Sequence, residues 1–133
     1  MSEKRIRFGD YIKKKRLADP REISIKDAAE HLEIARSYMS MIEANLKKPF
    51  DHEKLEKLAL FLRFTEEETA TMYDLASREK NEVPHDLEET FNNEEVGELA
   101  RYALRQSKKG VFKEEDWKRF IRETEERKKE EQE

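Results

Sequence analysis

Ser24 to Pro49 reads SIKDAAEHLEIARSYMSMIEANLKKP, and this stretch decides the fold. Ser24 with Asp27 three residues later is a variant of the capping box that opens a helix. The helix that follows is predicted from Ile25 to about Leu32, with Ala28, Ala29 and Leu32 facing inward. A second is predicted from Arg36 to about Ala44, burying Met39 and Ile42 at helical spacing. Only Glu33, Ile34 and Ala35 lie between them. Two short helices joined so tightly cannot lie side by side without strain, so they are expected to cross steeply, as in a helix-turn-helix.

With Met39 and Ile42 inward, Arg36, Ser37, Ser40 and Met41 are left facing outward. Arg36 stands on the first turn, the part of such a helix that reaches deepest into a DNA major groove. An arginine there can donate two hydrogen bonds to guanine, worth about 1–3 kcal/mol of discrimination. Ser37 and Ser40 suit bases or phosphates, and Met41 suits a thymine methyl. The start of the preceding helix, Ser24, Ile25 and Lys26, offers backbone N–H groups and a positive dipole end to a phosphate.

Around this pair the periodicity continues. Phe8, Tyr11 and Ile12 mark one face of a first helix, followed by the basic run Lys13 to Arg16 and ended by Asp19-Pro20. Lys13 and Lys14 add long-range attraction for an anion. Pro49 stops the central segment, and Asp51 is placed to cap a fourth helix with Leu55, Leu58, Ala59 and Leu62 inward. Thr65 followed by three glutamates opens a fifth, with Met72, Leu75 and Ala76 inward. Residues 6–78 thus form a five-helix unit. Residues 79–86, with Pro84, read as a linker, and 87–121 as a helical extension broken near Gly110. Residues 122–133 carry no aliphatic or aromatic side chain and read as a charged tail, either a solvated helical extension or a frayed end, with fraying the expectation.

The fold class is therefore all-α, in keeping with only 3 Gly and 3 Pro and 45% charged residues among 133. The net charge of −4 hides a division. Residues 1–50 carry 12 Lys and Arg against 8 Asp and Glu, while residues 51–133 carry 16 against 24. A basic front half suits a module that meets phosphate. No stretch approaches a membrane span, the N-terminus MSEKRIRFGDYIKKKR lacks the apolar run of a secretory signal, and there is no cysteine. The expected location is the cytoplasm, with no membrane partner.

Ser24 to Pro49 also resembles the XRE family, the lambda-repressor-like or Cro-type helix-turn-helix proteins, and the likeness extends from about Phe8 to Ala76. It is carried by the small Ala29, by Leu32, Ile34, Met39 and Ile42 at core positions, by Arg36-Ser37-Tyr38-Met39-Ser40, and by Ile42-Glu43 before a short basic turn and Pro49. The resemblance implies a five-helix lambda-repressor-like domain and a transcriptional regulator, a repressor by expectation, that reads an inverted repeat in double-stranded DNA as a homodimer. It implies base reading by Arg36, Ser37, Ser40 and Met41. Phosphate anchoring falls to Ser24, Ile25 and Lys26 on one side and to Tyr38, Lys47 and Lys48 on the other. It also implies an ion pair between Arg16 and Glu43 that locks the recognition helix to the first helix. Departures stand at Ile25 for a frequent glutamine, Glu33 for glycine, Ala35 for a capping Ser or Thr, Met41 for a polar reader, and Ala44-Asn45 for Asn-Gly.

In the second half, Phe91, Phe112, Trp117 and Phe120 are too many large rings to leave in water. Two readings stand: they cap the fifth helix within one chain, or they form a dimer seam. A protein-interaction adaptor, or an antitoxin-type partner using this acidic aromatic half, is the alternative function. No enzyme is read here. His31, His52 and His85 are scattered, no glycine-rich phosphate loop is possible, and no serine sits in a nucleophile turn. No metal or cofactor is expected, and nothing marks a small-molecule effector or a protein partner.

Overall fold

The computed structural model describes residues 6–132. The signal-peptide reading rests partly on residues 1–5, which lie outside the described residues, as does Glu133 at the end of the tail. The described chain is all-helical: α1 (Phe8–Ala18), α2 (Ile25–Leu32), α3 (Arg36–Glu43), α4 (His52–Phe61), α5 (Glu66–Lys80), α6 (Glu88–Asn92), α7 (Val96–Lys108) and α8 (Glu114–Glu131), with a 3₁₀ turn at His85–Leu87. It divides into two units, residues 1–88 and 89–133.

In the first unit the helix starts are chemical. Ser24 Oγ accepts from the Asp27 amide at 3.0 Å while the Asp27 carboxylate accepts from the Ser24 amide at 3.0 Å. Thr65 and Glu68 repeat this at the head of α5, and Asp51 caps α4. Each bond satisfies an amide that the helix cannot. The stops are equally local: Glu33 ends α2 in the left-handed region at φ 58°, and Asn81 ends α5 at φ 56°.

The predicted stripes meet in one core. Phe8, Tyr11, Ile12, Ala28, Ala29, Leu32, Met39, Ile42, Leu58, Met72, Leu75 and Ala76 are all buried, joined by Phe50 from the segment before α4. The helix pair α2 and α3 packs on itself, α1 lies against α3 and α5, and α2 against α4. Two long-range contacts tighten the frame. The Glu79 carboxylate accepts from the Phe8 amide at 2.8 Å, capping α1 across 71 residues. The Lys80 ammonium donates to the Phe50 carbonyl at 3.0 Å. Residues 79 and 80, read from sequence as linker, are thus helical and tied to the core. The 3₁₀ turn also docks on the first unit, where the His85 ring stacks on His52 with centroids 3.6 Å apart.

The second unit is built differently. Gly97 is its single buried residue among those described. The Cβ of any other residue there would lie 2.5 Å from the Thr90 carbonyl oxygen and 2.6 Å from that of Phe91. Gly110, at φ 79°, turns the chain between α7 and α8. Of the two readings of the tail, the helical extension holds and the expected fraying does not: α8 continues without a break to Glu131. Spaced charges hold it: Glu114–Lys118, Asp116–Arg119 and Glu125–Lys128 pair along its surface, each a modest support.

Candidate nucleic-acid interface

The three-residue turn Glu33-Ile34-Ala35 positions α3 through its ends. The Ile34 amide donates to the Ala29 carbonyl at 3.0 Å, and Ile34 packs against the core. The start of α3 has no side-chain cap, because Ala35 has no acceptor to offer. At the other end Asn45, at φ 61°, accepts from the Gly9 amide at 2.9 Å and donates to the Asp10 carboxylate at 3.1 Å. These bonds clamp the C-terminal end of α3 to the first turn of α1.

A buried ion pair completes the clamp. Arg16 Nε donates to Glu43 at 2.7 Å and Nη2 to its second oxygen at 2.8 Å, while Nη1 donates to the Ile23 carbonyl at 2.9 Å. Both residues are almost wholly shielded, at 6% and 4% exposure. The hydrogen bond that Arg16 donates to Glu43 raises the Arg16 pKa above its ordinary value, against the opposing effect of burial. A charge here is tolerable because every direction of the fork is satisfied.

Held this way, α3 divides into two faces. Met39 and Ile42 are sealed in the core at 0% and 1% exposure, while Arg36, Ser37 and Ser40 stand exposed. Met41 is half-buried, so only part of it is offered outward. Tyr38 is also half-buried, set edge-on to Phe50 with centroids 6.0 Å apart. The turn after α3 carries Lys47 and Lys48 exposed, anchored by the buried Pro49 and Phe50. Leu46 in the same turn is 72% exposed. Sequence periodicity does not single it out, because it lies outside any helix. Lys13 and Lys14 are exposed on α1.

The head of α2 is more restricted than its sequence suggests. Its capping box spends the Ser24 hydroxyl and the amides of Ser24 and Asp27. The amides of Ile25 and Lys26 remain as the N–H groups available to an anion. The Ile25 side chain packs against the core, and Lys26 is exposed. Asp27 is an acid at the same helix end, its pKa lowered by the backbone hydrogen bond from Ser24. It offsets part of the positive dipole that a phosphate would feel.

In the second unit, three of the aromatic residues singled out from sequence, Phe112, Trp117 and Phe120, form a chain of ring contacts. The Phe91 carbonyl accepts from Arg101, and Phe91 is half-buried. Phe112 sits edge-on to Trp117 at 4.6 Å, and the Trp117 indole N–H donates to Ser107 at 2.9 Å. Phe120, edge-on to Trp117 at 6.4 Å, is 54% exposed.

Among the described residues no group of three or more His, Cys, Asp or Glu is placed to hold a metal ion. No described helix is long and apolar enough to cross a membrane. Comparison with family models, with curated proteins and with solved structures returns no match.

Proposed function

We propose that the chain is a sequence-specific, DNA-binding transcriptional regulator, in which α2 and α3 act as a helix-turn-helix of the lambda-repressor-like kind and α3 enters the major groove. The observation that carries this reading is the division of α3. Its inner face is sealed by Met39 and Ile42, and its outer face leaves Arg36, Ser37 and Ser40 in solvent beside Lys47 and Lys48. A helix gripped at both ends, with polar groups along its free side, is what base reading requires. Arg36 takes the guanine-reading role, and Ser37, Ser40 and the exposed part of Met41 read neighbouring positions. Lys47, Lys48, the Tyr38 hydroxyl and the amides of Ile25 and Lys26 hold phosphates and fix the register. In this reading the regulator acts in the cytoplasm as a dimer on an inverted repeat, repressing by occlusion.

The test is an in vitro selection of bound duplexes followed by two variants. Arg36→Ala weakens binding to the selected duplex by about 1–3 kcal/mol and relaxes one base position. Lys47→Ala weakens all duplexes alike and flattens the dependence on salt. Failure to enrich any duplex, or unchanged affinity in both variants, overturns the proposal. A second reading, an adaptor or antitoxin-type protein partner, is favoured by one observation. Val96, Leu99 and Tyr102 stand 57%, 71% and 64% exposed along α7.

A further inference from the structure

The second unit, residues 89–132, hides no apolar side chain of its own, yet Val96, Leu99, Tyr102, Leu104, Val111, Phe120 and Ile121 are each between 47% and 71% exposed. A segment this short does not stabilise itself without help from a staple or a partner. Exposed large apolar side chains gathered in so short a segment mark an interaction surface rather than an ordinary solvated face.

The charge order of α8 identifies the occupant. Glu114, Ile121 and Lys128 recur at intervals of seven, as do Trp117, Thr124 and Glu131, so these six lie along one seam of the helix. The seam is apolar or weakly polar in the middle, at Trp117, Ile121 and Thr124, opens on Glu114 and closes on Lys128 and Glu131. Around it, Glu114-Glu115-Asp116 opens α8 and Arg127-Lys128-Lys129 nearly closes it. We propose that α8 pairs with α8 of a second copy of this chain, antiparallel and centred near Ile121.

In that pairing the acidic triad lies beside the basic triad of the partner subunit, and the same contact recurs at the other end by symmetry. Lys118 and Glu125, seven residues apart, flank the seam on one side and meet each other's counterparts. A two-fold interface must be self-complementary, and this helix is so only when the two copies run in opposite directions. Run parallel, acid would face acid and base would face base. Ile121, which one copy leaves half in solvent, falls at the centre of the seam, with the equally exposed Phe120 beside it.

The pairing also gives the end of α8 a task. From Arg122 to Glu131 the helix carries no aliphatic or aromatic side chain. A helix polar on every side is stable only where charge pairs or a partner support it. The helix dipole favours acids at the start and bases at the end, but it does not explain the acids Glu123, Glu125 and Glu126 between two basic blocks. The intrahelical pairs at Glu114–Lys118 and Glu125–Lys128 are exposed and weak, so they yield readily to contacts with a partner.

The purpose of this pairing, setting two recognition helices on one duplex, rests on the DNA-binding reading; the surface itself does not. Sedimentation velocity on the full chain without DNA tests it. The chain runs as a dimer, and Ile121→Lys raises the concentration for half-dimerisation by about tenfold or more. E114K/E115K alone and K128E/K129E alone each run as monomers, because both ends of the seam then carry like charge. Mixed in equal amounts, the two variants form a heterodimer. Circular dichroism of each variant confirms that the helices persist. A wild-type mass of one chain at every concentration, or two charge variants that stay dimeric alone, overturns the proposal. So does a mixture that stays monomeric. A dimer that selects no duplex sinks the DNA reading and leaves this one standing. A monomer that binds a selected half-site does the reverse.

Discussion

Single residues carry most of the strain and most of the buried charge. Glu33 ends α2 at φ 58°, a conformation that costs a residue with a Cβ about 1–2 kcal/mol relative to the ordinary helical region. Glycine has no such cost. Glu33→Gly is therefore expected to stabilise the first unit by about 1 kcal/mol, read as a higher urea midpoint at unchanged slope. A lower midpoint would mean that the Glu33 side chain does more than tolerate its backbone. The pair Arg16–Glu43 sets a test of opposite sign. Arg16→Met leaves a carboxylate buried without its fork and costs about 3–5 kcal/mol. The double variant Arg16→Met with Glu43→Met removes both charges and recovers most of that loss. If the double variant is as unstable as the single one, the site needs the pair for its shape rather than its neutrality.

At the scale of elements, the decisive contact is where α1 crosses the end of α3. Gly9 belongs there because a Cβ would lie 2.3 Å from the Ile42 carbonyl oxygen, 2.5 Å from Asn45 Oδ1 and 2.8 Å from the Glu43 carbonyl oxygen. Backbone atoms held by a helix cannot step aside. Gly→Ala inside a helix ordinarily stabilises by about 1 kcal/mol, but overpacking costs about 1–3 kcal/mol and wins here. Gly9→Ala is expected to lower stability by a net of up to about 2 kcal/mol and to loosen α3, which amide exchange along α3 would register. This contact is invisible in the sequence, where Gly9 is only a weak residue near a helix start. What was legible were features with local cause. The spacing of Phe8, Tyr11 and Ile12 and the caps Ser24, Asp51 and Thr65 leave patterns a few residues long, and α2 falls within the bounds they set. The outward residues of α3 were legible as the complement of Met39 and Ile42. Glu79 capping Phe8, Asn45 clamping α1, and Tyr38 leaning on Phe50 join residues far apart and write no such pattern. The length of α8 stays open in the sequence for a related reason: apolar periodicity ends at Ile121, and helix continues on charge spacing alone.

Over the whole molecule, stability and charge are linked through a few carboxylates, all in the first unit. Hydrogen bonds from Arg21 hold Asp19 at about 2, below its ordinary 3.8. Asp27 is lowered by the Ser24 backbone amide, and Glu68 by the Thr65 amide and then by Lys15. A folded-state pKa below the unfolded value means that the unfolded chain binds protons first as pH falls. The contribution of each group is thus full above the ordinary carboxylate range and lost as pH drops through the folded value. The urea midpoint is expected to hold above about pH 5 and to decline towards pH 2, with Asp19→Asn flattening the lower part of that decline. Because the one tryptophan, Trp117, lies in the second unit, its emission follows a separate event. It should respond to dilution, which separates paired copies of α8, at a pH where the carboxylates of the first unit are untouched. A dilution series at neutral pH and an acid titration at fixed concentration therefore address the two units in turn. If Trp117 emission and the helical signal of the first unit moved together in both, the two units would be one cooperative body, and α8 would owe its order to the first unit rather than to a second copy.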